Sequence, residues 1–572
     1  MEYDPITLEI LWGRLNTIAD ESATALQRTS FSTIVRESND LAADVLDPDG
    51  NIIAECSVGV PSFIGTMPGT LRYMLQQYPF ESLEPGDVLV TNDPWEGTGH
   101  LPDFTVCTPV FYQGSIVAWI GTVAHSADTG GRIFGVDARE IYEEGLWLPP
   151  LKLHRRGEPN DDVYRIIRQN VRVPEQVIGD LRAQVLANEV GARKVVELLE
   201  EERMPDLKAL SGAIYERSEA AMRAVIAKLP DGEYRSEVRC DSPSSATADA
   251  QPLKDLTVRC AVRISGSDLE CDFTGTDPVV PFATNASGNY IYSYTLYGLK
   301  AALNAKVPGN YGMAKPFTIT NPVGSFLHAP RGHAVGARHL VGHFSVHAAQ
   351  KALAQVIPDR VLAESSLVGM LVLFGTDSDG KRWGNVPFFA GGMGATQERD
   401  GLSCMPFPTN TSLVATEIVE QLVPMKVEHK RYVVDSAGPG RRRGGLGQEV
   451  ALRSLSEHPV QISVLLQKSK NPPQGLDGAG AGMGSTSSNS TRDWTPTMGM
   501  TELAPGGTLS FRTAGGGGFG DPFRREPELV AADVRNRKIS AAAARSDYGV
   551  ALDEAGNVDM AETAKLRGRA ED

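Results

Sequence analysis

The stretch from Thr91 to Asp103 reads TNDPWEGTGHLPD, and a second polar stretch, VAHSADTGG, runs from Val123 to Gly131. The segment between them, VCTPVFYQGSIVAWIG, predicts two apolar strands joined by a tight turn at Gln113-Gly114. Such a hairpin brings its two polar ends together at one end of a sheet. The residues with metal-binding side chains that would meet there are His100, Asp103, His125 and Asp128.

Two imidazoles and two carboxylates are a ligand set that divalent transition metals bind well. Residues three apart on a straight strand point to opposite faces, so the chain must curl if His100 and Asp103 are to share one ion. Gly97 and Gly99 favour such a bend, and Pro102 disfavours a helix. The alternative is that these residues are hydrogen-bonded polar groups at strand ends. Spacing alone leaves both interpretations open.

Length and composition narrow the class of protein. A chain of 572 residues with 41% hydrophobic and 22% charged residues predicts two to four folded domains. The formal net charge of −16 argues against nucleic acid or an anionic membrane as the main partner. The start of the chain lacks the basic region of a signal peptide, and no apolar run reaches membrane-spanning length. The six cysteines are scattered, which predicts reduced thiols and a cytoplasmic location.

The periodicity predicts an α+β (mixed α/β) multidomain protein with antiparallel or mixed sheets flanked by helices. We predict an N-terminal metal-site domain with a helical extension at residues 1–229 and a central strand and helix domain at residues 230–470. Residues 471–525 are predicted to form a Gly/Pro-rich loop and the final strands. Residues 526–572 are predicted to form a helical tail.

Within the first part, helical spacing begins at Pro5 after an Asp cap and continues toward Leu26. A hairpin is predicted around Asp47-Pro48-Asp49-Gly50. A loop is predicted to lead into a helix from Met67 to Gln77, and a buried strand spans Val88–Val90. From Val163 to about Lys208 the pattern is helical throughout.

Further motifs admit a structural or a functional interpretation. His339, His343 and His347 share one face of a predicted helix, and such residues are more often core or interface residues than ligands. The Gly515–Gly518 run and Gly438-Pro439-Gly440 lack the P-loop and dinucleotide patterns, so tight turns are favoured over an anion-binding nest. Arg441-Arg442-Arg443 is predicted to lie at an exposed hairpin tip. Residues 472–490 are predicted to be loop or linker.

A set of long motifs in order along the chain resembles the hydantoinase B/oxoprolinase family. The resemblance covers nearly the whole sequence. The sequence departs from the usual family pattern at two places. The first is Leu41-Ala42 after Asp40, where many members have an aromatic residue and Ser. The second is Thr513-Ala514 before the glycine run. The motifs that carry the resemblance are DPITLEILWGRLNTIADESATALQRTSFS, RESNDLAADVLDPDGNIIAE, PGDVLVTNDPWEGTGHLPDFTVCTPVF, VAHSADTGG, EIYEEGLWLPPLKLHRRG, RRRGGLGQEV and AGGGGFGDP.

The resemblance implies a B-type subunit that works with an ATP-using A-type hydantoinase subunit. It implies a divalent metal (Zn, Mn or Fe) in this chain and ATP at the partner. The implied metal ligands are His100, Asp103 and His125, with a further carboxylate from either Asp40 or Glu37. The residues implied to act beside the metal or toward the substrate are Asp128 and Asp93.

The resemblance leaves three functional hypotheses. In the first, the protein completes the metal-assisted ring opening of a hydantoin or oxoproline-like lactam that the A-type subunit has activated. In the second, the same site stabilises an enolate in an ATP-dependent carboxylase of the acetone or acetophenone type. In the third, the chain is a structural subunit whose site is degenerate.

Overall fold

The structure is a computed structural model that describes residues 3–243, 254–493 and 495–568. Helices accompany several antiparallel or mixed sheets in a multidomain arrangement, which confirms the predicted fold class. Within these ranges, no helix combines the length and the apolar character that crossing a membrane requires. The six cysteines are free, and all but the half-buried Cys404 are buried.

The N-terminal part alternates helices with the strands of one sheet. Its elements in chain order are α1 (Pro5–Thr29), α2 (Thr33–Arg36), β1 (Leu41–Leu46), β2 (Ile52–Glu55), α3 (Pro61–Gln77), β3 (Val88–Thr91), β4 (Asp103–Tyr112), β5 (Ser115–His125), β6 (Leu151–Arg155), β7 (Glu158–Pro159), α4 (Asp161–Asn170), α5 (Pro174–Glu202) and α6 (Lys208–Ile226).

The strands β1 to β7 form one seven-stranded antiparallel sheet with the order β2-β1-β5-β4-β3-β6-β7. One face packs against α1 and α5, and the other packs against α3. Because side chains alternate along a strand, Leu41, Ala43 and Val45 enter one core and Ala42 and Leu46 enter the other. Burial on both faces explains why these strands are apolar along most of their length.

The strands β4 and β5 form the predicted hairpin. Gln113 and Gly114 have φ angles of 50° and 83°, the left-handed conformation that a two-residue hairpin turn requires. A bulge between Val110 and Phe111 then shifts the register by one residue, so that Asp103 faces His125. Without the bulge Asp103 would face Ala124. The bulge therefore decides which side chain meets Asp103 at the end of the sheet.

One helix prediction was wrong in its bounds. Helix α3 begins at Pro61, six residues before the predicted Met67, and Pro68 lies inside it. Pro61 occupies the first helical turn, where its missing N–H is not needed, and burial of the helix against the sheet outweighs the cost of Pro68. The region predicted to be helical from Val163 to about Lys208 contains α4 and α5, which are separated because Pro174 disfavours helical geometry in the residue before it.

The central part contains a second, four-stranded sheet with the order β11-β10-β9-β8, in which β10 and β11 are parallel. Helices α7 and α10 pack over it in one apolar core. The elements of this part are β8 (Gly232–Cys240), β9 (Leu256–Ser265), β10 (Asp268–Asp272), α7 (Gly288–Asn304), α8 (Tyr311–Ala314), β11 (Phe317–Thr320), α9 (His339–Gly342) and α10 (Phe344–Leu353).

The remaining strands form two more sheets. One has the order β13-β12-β17-β19 with β14 also paired to β12, and the other has the order β15-β16-β20-β18. The elements are β12 (Val368–Thr376), β13 (Arg382–Asn385), β14 (Phe388–Ala390), α11 (Thr416–Leu422), β15 (Met425–Tyr432), β16 (Gln448–Ser454), β17 (Val460–Leu465), β18 (Thr486–Asn489), β19 (Met498–Leu503), β20 (Thr508–Arg512), α12 (Pro527–Arg535), α13 (Ala541–Tyr548) and α14 (Met560–Gly568).

The glycine-rich segments 391–394, 438–447, 475–484 and 514–518 pack backbone against backbone, and we call them the glycine core. The N–H groups of Gly515 to Gly518 donate to carbonyls of Met483, Gly445, Glu364 and Gly480 at 2.9–3.1 Å. Because these amides are all used, the run is neither the predicted tight turn nor a nest with amides free for an anion. Part of the predicted loop 472–490 lies in this core, and its last residues form β18.

The predicted exposed position of the arginine run is also wrong. Arg443 is buried, its Nε lies 3.2 Å from Oδ2 of Asp533, and Arg525 Nη2 lies 2.7 Å from the same oxygen. Asp533 belongs to α12, so this buried charge cluster fastens the C-terminal helices to the glycine core. A pattern of three consecutive arginines could not reveal an acidic partner ninety positions away.

Candidate metal centre

His100, Asp103 and His125 converge at the end of the hairpin. His100 lies in the turn before β4, Asp103 is the first residue of β4, and His125 is the last residue of β5. Oδ1 of Asp103 is 2.8 Å from Nε2 of His100 and 2.9 Å from Nδ1 of His125. One ligand atom from each residue lies within 4.8 Å of the others, and all three residues are buried. The curl predicted between His100 and Asp103 is present, with Gly99 at a φ of 102°.

His100 can present a lone pair to this point. Burial, followed by the charge of Arg338, lowers the pKa of His100 to about 4, so the imidazole is neutral near pH 7. Its Nδ1 lies 2.8 Å from the carbonyl oxygen of Gly336. Nη1 of Arg338 lies 3.0 Å from the same nitrogen, and Nε2 donates to the Asp103 carboxylate when it carries the proton. In the tautomer that a metal ligand requires, the proton lies on Nδ1 and is donated to the Gly336 carbonyl, and a cation would take the place of the proton between Nε2 and Oδ1.

Arg338 completes the surroundings of Asp103 and was missed in the sequence. Its Nη2 donates to Oδ2 of Asp103 across 2.5 Å, and its Nε donates to the carbonyl of Thr98 across 2.6 Å. The hydroxyl of Thr98 donates to the same Oδ2 at 2.6 Å. Oδ2 is thus occupied, and Oδ1 faces the imidazoles. The one sequence signal was an arginine directly before the apolar, histidine-bearing segment at His339.

The charge state of Asp103 follows from these contacts. Burial would raise its pKa, but His100 and Arg338 outweigh burial and hold the pKa well below its usual range. Asp103 is therefore an ionised carboxylate in a site closed to solvent. Arg338 compensates this charge through Oδ2, and Oδ1 is left facing the two imidazoles.

The structure places Asp40, rather than Glu37, beside this cluster. Oδ2 of Asp40 is 3.7 Å from Nδ1 of His125. Burial raises the pKa of Asp40 to about 6, with the charge of nearby Asp103 contributing and His125 opposing. The carboxylate of Glu37 instead accepts from Nε of Arg36 at 2.9 Å, and its side chain remains partly exposed. Asp40 is positioned by β1, which pairs directly with β5.

The two remaining carboxylates named from the sequence are engaged elsewhere. Asp128 pairs with Arg172, whose Nη1 is 2.7 Å from Oδ1, and it also accepts from the N–H groups of Gly130 and Arg172. Asp93 accepts from two amides of its own loop, from Trp147 Nε1 at 3.1 Å and from Arg331 Nη1 at 3.0 Å. Among the described residues, the hydrogen bonds of Asp93 thus do not reach His100, Asp103 or His125.

Two cavities meet at His125 and the ring of Phe134. The first is bordered by Asp128 and Glu144, and the second is bordered by Asp40, His100, Tyr290, His339 and His343. The predicted single helix carrying the three histidines is divided at His343 into α9 and α10. Burial lowers the pKa of His339 and His343 well below the ordinary value, so neutral imidazoles line the second cavity.

A family model described as hydantoinase B/oxoprolinase matches residues 4–522. This protein belongs to the hydantoinase B/oxoprolinase family. The resemblance predicted from the motifs is confirmed. A protein of Pseudomonas sp. (strain NS671), described as one subunit of a D-/L-hydantoinase, is 31% identical over 99% of this chain and 98% of its own length.

Solved structures of two related enzymes have the same fold. The crystal structure of the ATP-dependent caprolactamase from Pseudomonas jessenii gives a TM-score of 0.88 at 26% identity and covers 99% of this chain and 100% of that chain. A nucleotide-free structure of acetone carboxylase also gives a TM-score of 0.88, at 20% identity, over 99% of this chain and 83% of that chain.

Proposed function

We propose that this protein is the B-type subunit of an ATP-dependent cyclic-amide hydrolase that opens a hydantoin or oxoproline-like lactam ring. In this proposal an A-type subunit uses ATP to activate the amide, and this chain completes the reaction. The names of the hydantoinase and caprolactamase relatives support the choice of a cyclic amide as substrate.

The observation that carries the proposal is the buried convergence of two imidazoles and one ionised carboxylate. The donor set fits a divalent cation: His100 can turn a lone pair toward Asp103, and Asp103 keeps Oδ1 directed at both imidazoles. His100, Asp103 and His125 would hold Zn, Mn or Fe, with Asp40 as the further carboxylate. The ion would supply Lewis-acid polarisation of a carbonyl and a lowered pKa for water.

The residues around the cluster would orient it and control access to it. Arg338 and Thr98 fix one oxygen of Asp103 and so keep the other directed at the imidazoles. Gly336 fixes the ring of His100 through its carbonyl oxygen. The second cavity is lined by the neutral imidazoles of His339 and His343, by two tyrosines and by apolar side chains such as Val368 and Met370, beside Asp40 and Arg338. A mostly apolar lining with a few polar groups suits a small cyclic amide.

The test is reconstitution with the A-type subunit. The purified complex is assayed for ATP-dependent ring opening of hydantoins, 5-oxoproline and ε-caprolactam, and for ATP-dependent carboxylation of ketones with bicarbonate. We expect ring opening of at least one cyclic amide, and dependence of the rate on bound divalent metal. Carboxylation without ring opening would overturn the proposal in favour of a carboxylase. If the complex shows neither ring opening nor carboxylation, the proposal is overturned in favour of a structural subunit.

A further inference from the structure

Glu144 and His125 both line the first cavity. Its Oε1 accepts from the N–H of Gly336 at 2.7 Å. The carbonyl of the same Gly336 is the group that holds Nδ1 of His100. Glu144 and His100 are thus held by the same residue, Gly336, and no direct hydrogen bond joins their side chains among the described residues.

The second carboxyl oxygen of Glu144 is free. Although Glu144 as a residue is half-buried, Oε2 is shielded from solvent and has no hydrogen-bond partner among the described residues. A buried polar atom without a partner is costly, and such atoms persist where a ligand or water completes them. The cavity has a volume of about 30 Å³, which is room for a water molecule or a small reacting group.

The surroundings keep a proton on this carboxyl group. Burial raises the pKa of Glu144 to about 8 and outweighs the N–H groups of Gly336 and Val335, and the charge of Arg338 opposes the rise while Glu143 adds to it. The other arginines at this cavity are paired, Arg132 with Glu143 and Asp137, and Arg172 with Asp128. Glu144 therefore carries a transferable proton near pH 7, whereas Asp103 is an ionised acceptor.

Opening a cyclic amide requires such a proton. An amine anion is a poor leaving group, so the ring nitrogen must be protonated as its bond to carbon breaks. Asp128, the other carboxylate at this cavity, accepts hydrogen bonds from Arg172 and Gly130 and is less suited to donate a proton.

We propose that Glu144 is the general acid of the ring opening, delivering its proton from Oε2 to the leaving ring nitrogen. This inference rests on the proposed function. As the C–N bond breaks, its electron pair goes to nitrogen, which takes the Glu144 proton. Water adds its oxygen to the carbonyl carbon and releases one proton, which returns to the Glu144 carboxylate. Water is thereby divided across the C–N bond, and the protein ends as it began. The phosphoryl group with which ATP activates the carbonyl oxygen leaves as inorganic phosphate in a second hydrolysis.

A purely structural Glu144 would act by anchoring Gly336, and the two roles are separable. Glu144→Gln keeps an oxygen that can accept from Gly336 N–H but has no acidic proton. Glu144→Ala removes both. Glu140→Gln is the matched control, because Glu140 is an exposed carboxylate of the same segment.

The experiment measures metal content, kcat and KM of the reconstituted complex for each variant across pH 6–10. For Glu144→Gln we expect normal metal content and KM, a fall in kcat of about 10²-fold or more, and loss of the decline in wild-type kcat/KM above pH 8. The defect should shrink for a cyclic imide, whose nitrogen leaves more easily without an acid. Glu140→Gln should behave as wild type.

Each contrary result has a distinct meaning. A Glu144→Gln complex with wild-type kcat and an unchanged decline above pH 8 would overturn the role of Glu144 alone. Equal defects for lactam and imide would also overturn it, since the acid would then not act on the leaving nitrogen. A wild-type complex that opens no cyclic amide would overturn the proposed function and this role together.

Discussion

Arg338 and Asp103 form a buried ion pair in which Nη2 and Oδ2 are 2.5 Å apart, although the residues are 235 positions apart in the chain. The pair joins the end of the hairpin β4–β5 to the segment that leads into α9. It fixes one oxygen of Asp103 and stacks the guanidinium over the ring of Tyr290, 4.3 Å from its centroid. One charged contact therefore ties the N-terminal sheet to the central helices at the candidate metal centre.

Replacing Arg338 with methionine should leave Asp103 as an uncompensated buried charge. We expect the free energy of unfolding in urea, measured with chelator present, to fall by about 3–5 kcal/mol. Adding Asp103→Asn to Arg338→Met should recover part of this loss, because the buried charge is then gone. Arg165→Met, in an exposed pair with Asp162, serves as a control and should leave the urea midpoint unchanged. Full stability of the single variant Arg338→Met would contradict the assigned importance of the pair.

Asp40 and Glu37 can be distinguished by metal retention. Because Asp40 lies beside His125 and Glu37 pairs with Arg36, Asp40→Asn should weaken divalent metal binding by roughly tenfold or more, and Glu37→Gln should not. The measurement is metal content by mass spectrometry after dialysis against graded chelator. His100→Ala should lose both the metal and turnover while keeping its circular dichroism spectrum, and His154→Ala, outside the cluster, should lose neither. Equal retention by Asp40→Asn and wild type would remove Asp40 from the ligand set.

Asp44 should make stability depend on pH. Both of its carboxyl oxygens are buried without a hydrogen-bond partner among the described residues, and burial, with Glu55 nearby, raises its pKa well above the ordinary value. The native state therefore keeps a proton that the unfolded chain has released above about pH 4, so this group's contribution to stability falls as pH rises, by about 1.4 kcal/mol per pH unit. Asp44→Asn should be more stable than wild type at pH 7, with the difference shrinking toward pH 4.

Thermal unfolding of Asp44→Asn and wild type between pH 4 and pH 8 measures this effect. Asp49→Asn is the control, because Asp49 lies in the exposed turn between β1 and β2. A constant difference between Asp44→Asn and wild type across that range would show that Asp44 is not held neutral in the native state.

The glycine core should not tolerate a methyl group. A Cβ on Gly516 would lie 2.1 Å from the carbonyl oxygen of Met393, and backbone cannot move aside as a flexible side chain can. Gly516→Ala should therefore lower the yield of folded protein and the unfolding temperature. Gly212→Ala, in α6 with nothing within 4 Å of the added Cβ, should be neutral or stabilising by about 0.5–1 kcal/mol. Equal unfolding temperatures for the two variants would contradict close backbone packing in the core.

Local sequence predicted correctly those features whose interacting residues all lie within one short segment. The apolar strands around Gln113-Gly114 predicted the hairpin, and the glycines before Asp103 predicted the curl that brings His100 to it. Motifs along the chain predicted the family. The same reasoning failed for Arg443 and for the glycine runs, since their partners come from segments far away in the chain.

The sequence by itself thus determined the hairpin, the family, and a candidate ligand set that contained His100, Asp103 and His125 together with Asp128 and either Asp40 or Glu37. Only the tertiary structure decided that a bulge places His125 opposite Asp103, and that Arg338 pairs with Asp103. It also decided that Glu144 lines the first cavity and has one buried carboxyl oxygen without a hydrogen-bond partner among the described residues. The physical reason is the range of the interactions: turn geometry and side-chain alternation act over a few residues, whereas burial and buried ion pairs depend on segments that meet only after the chain has packed.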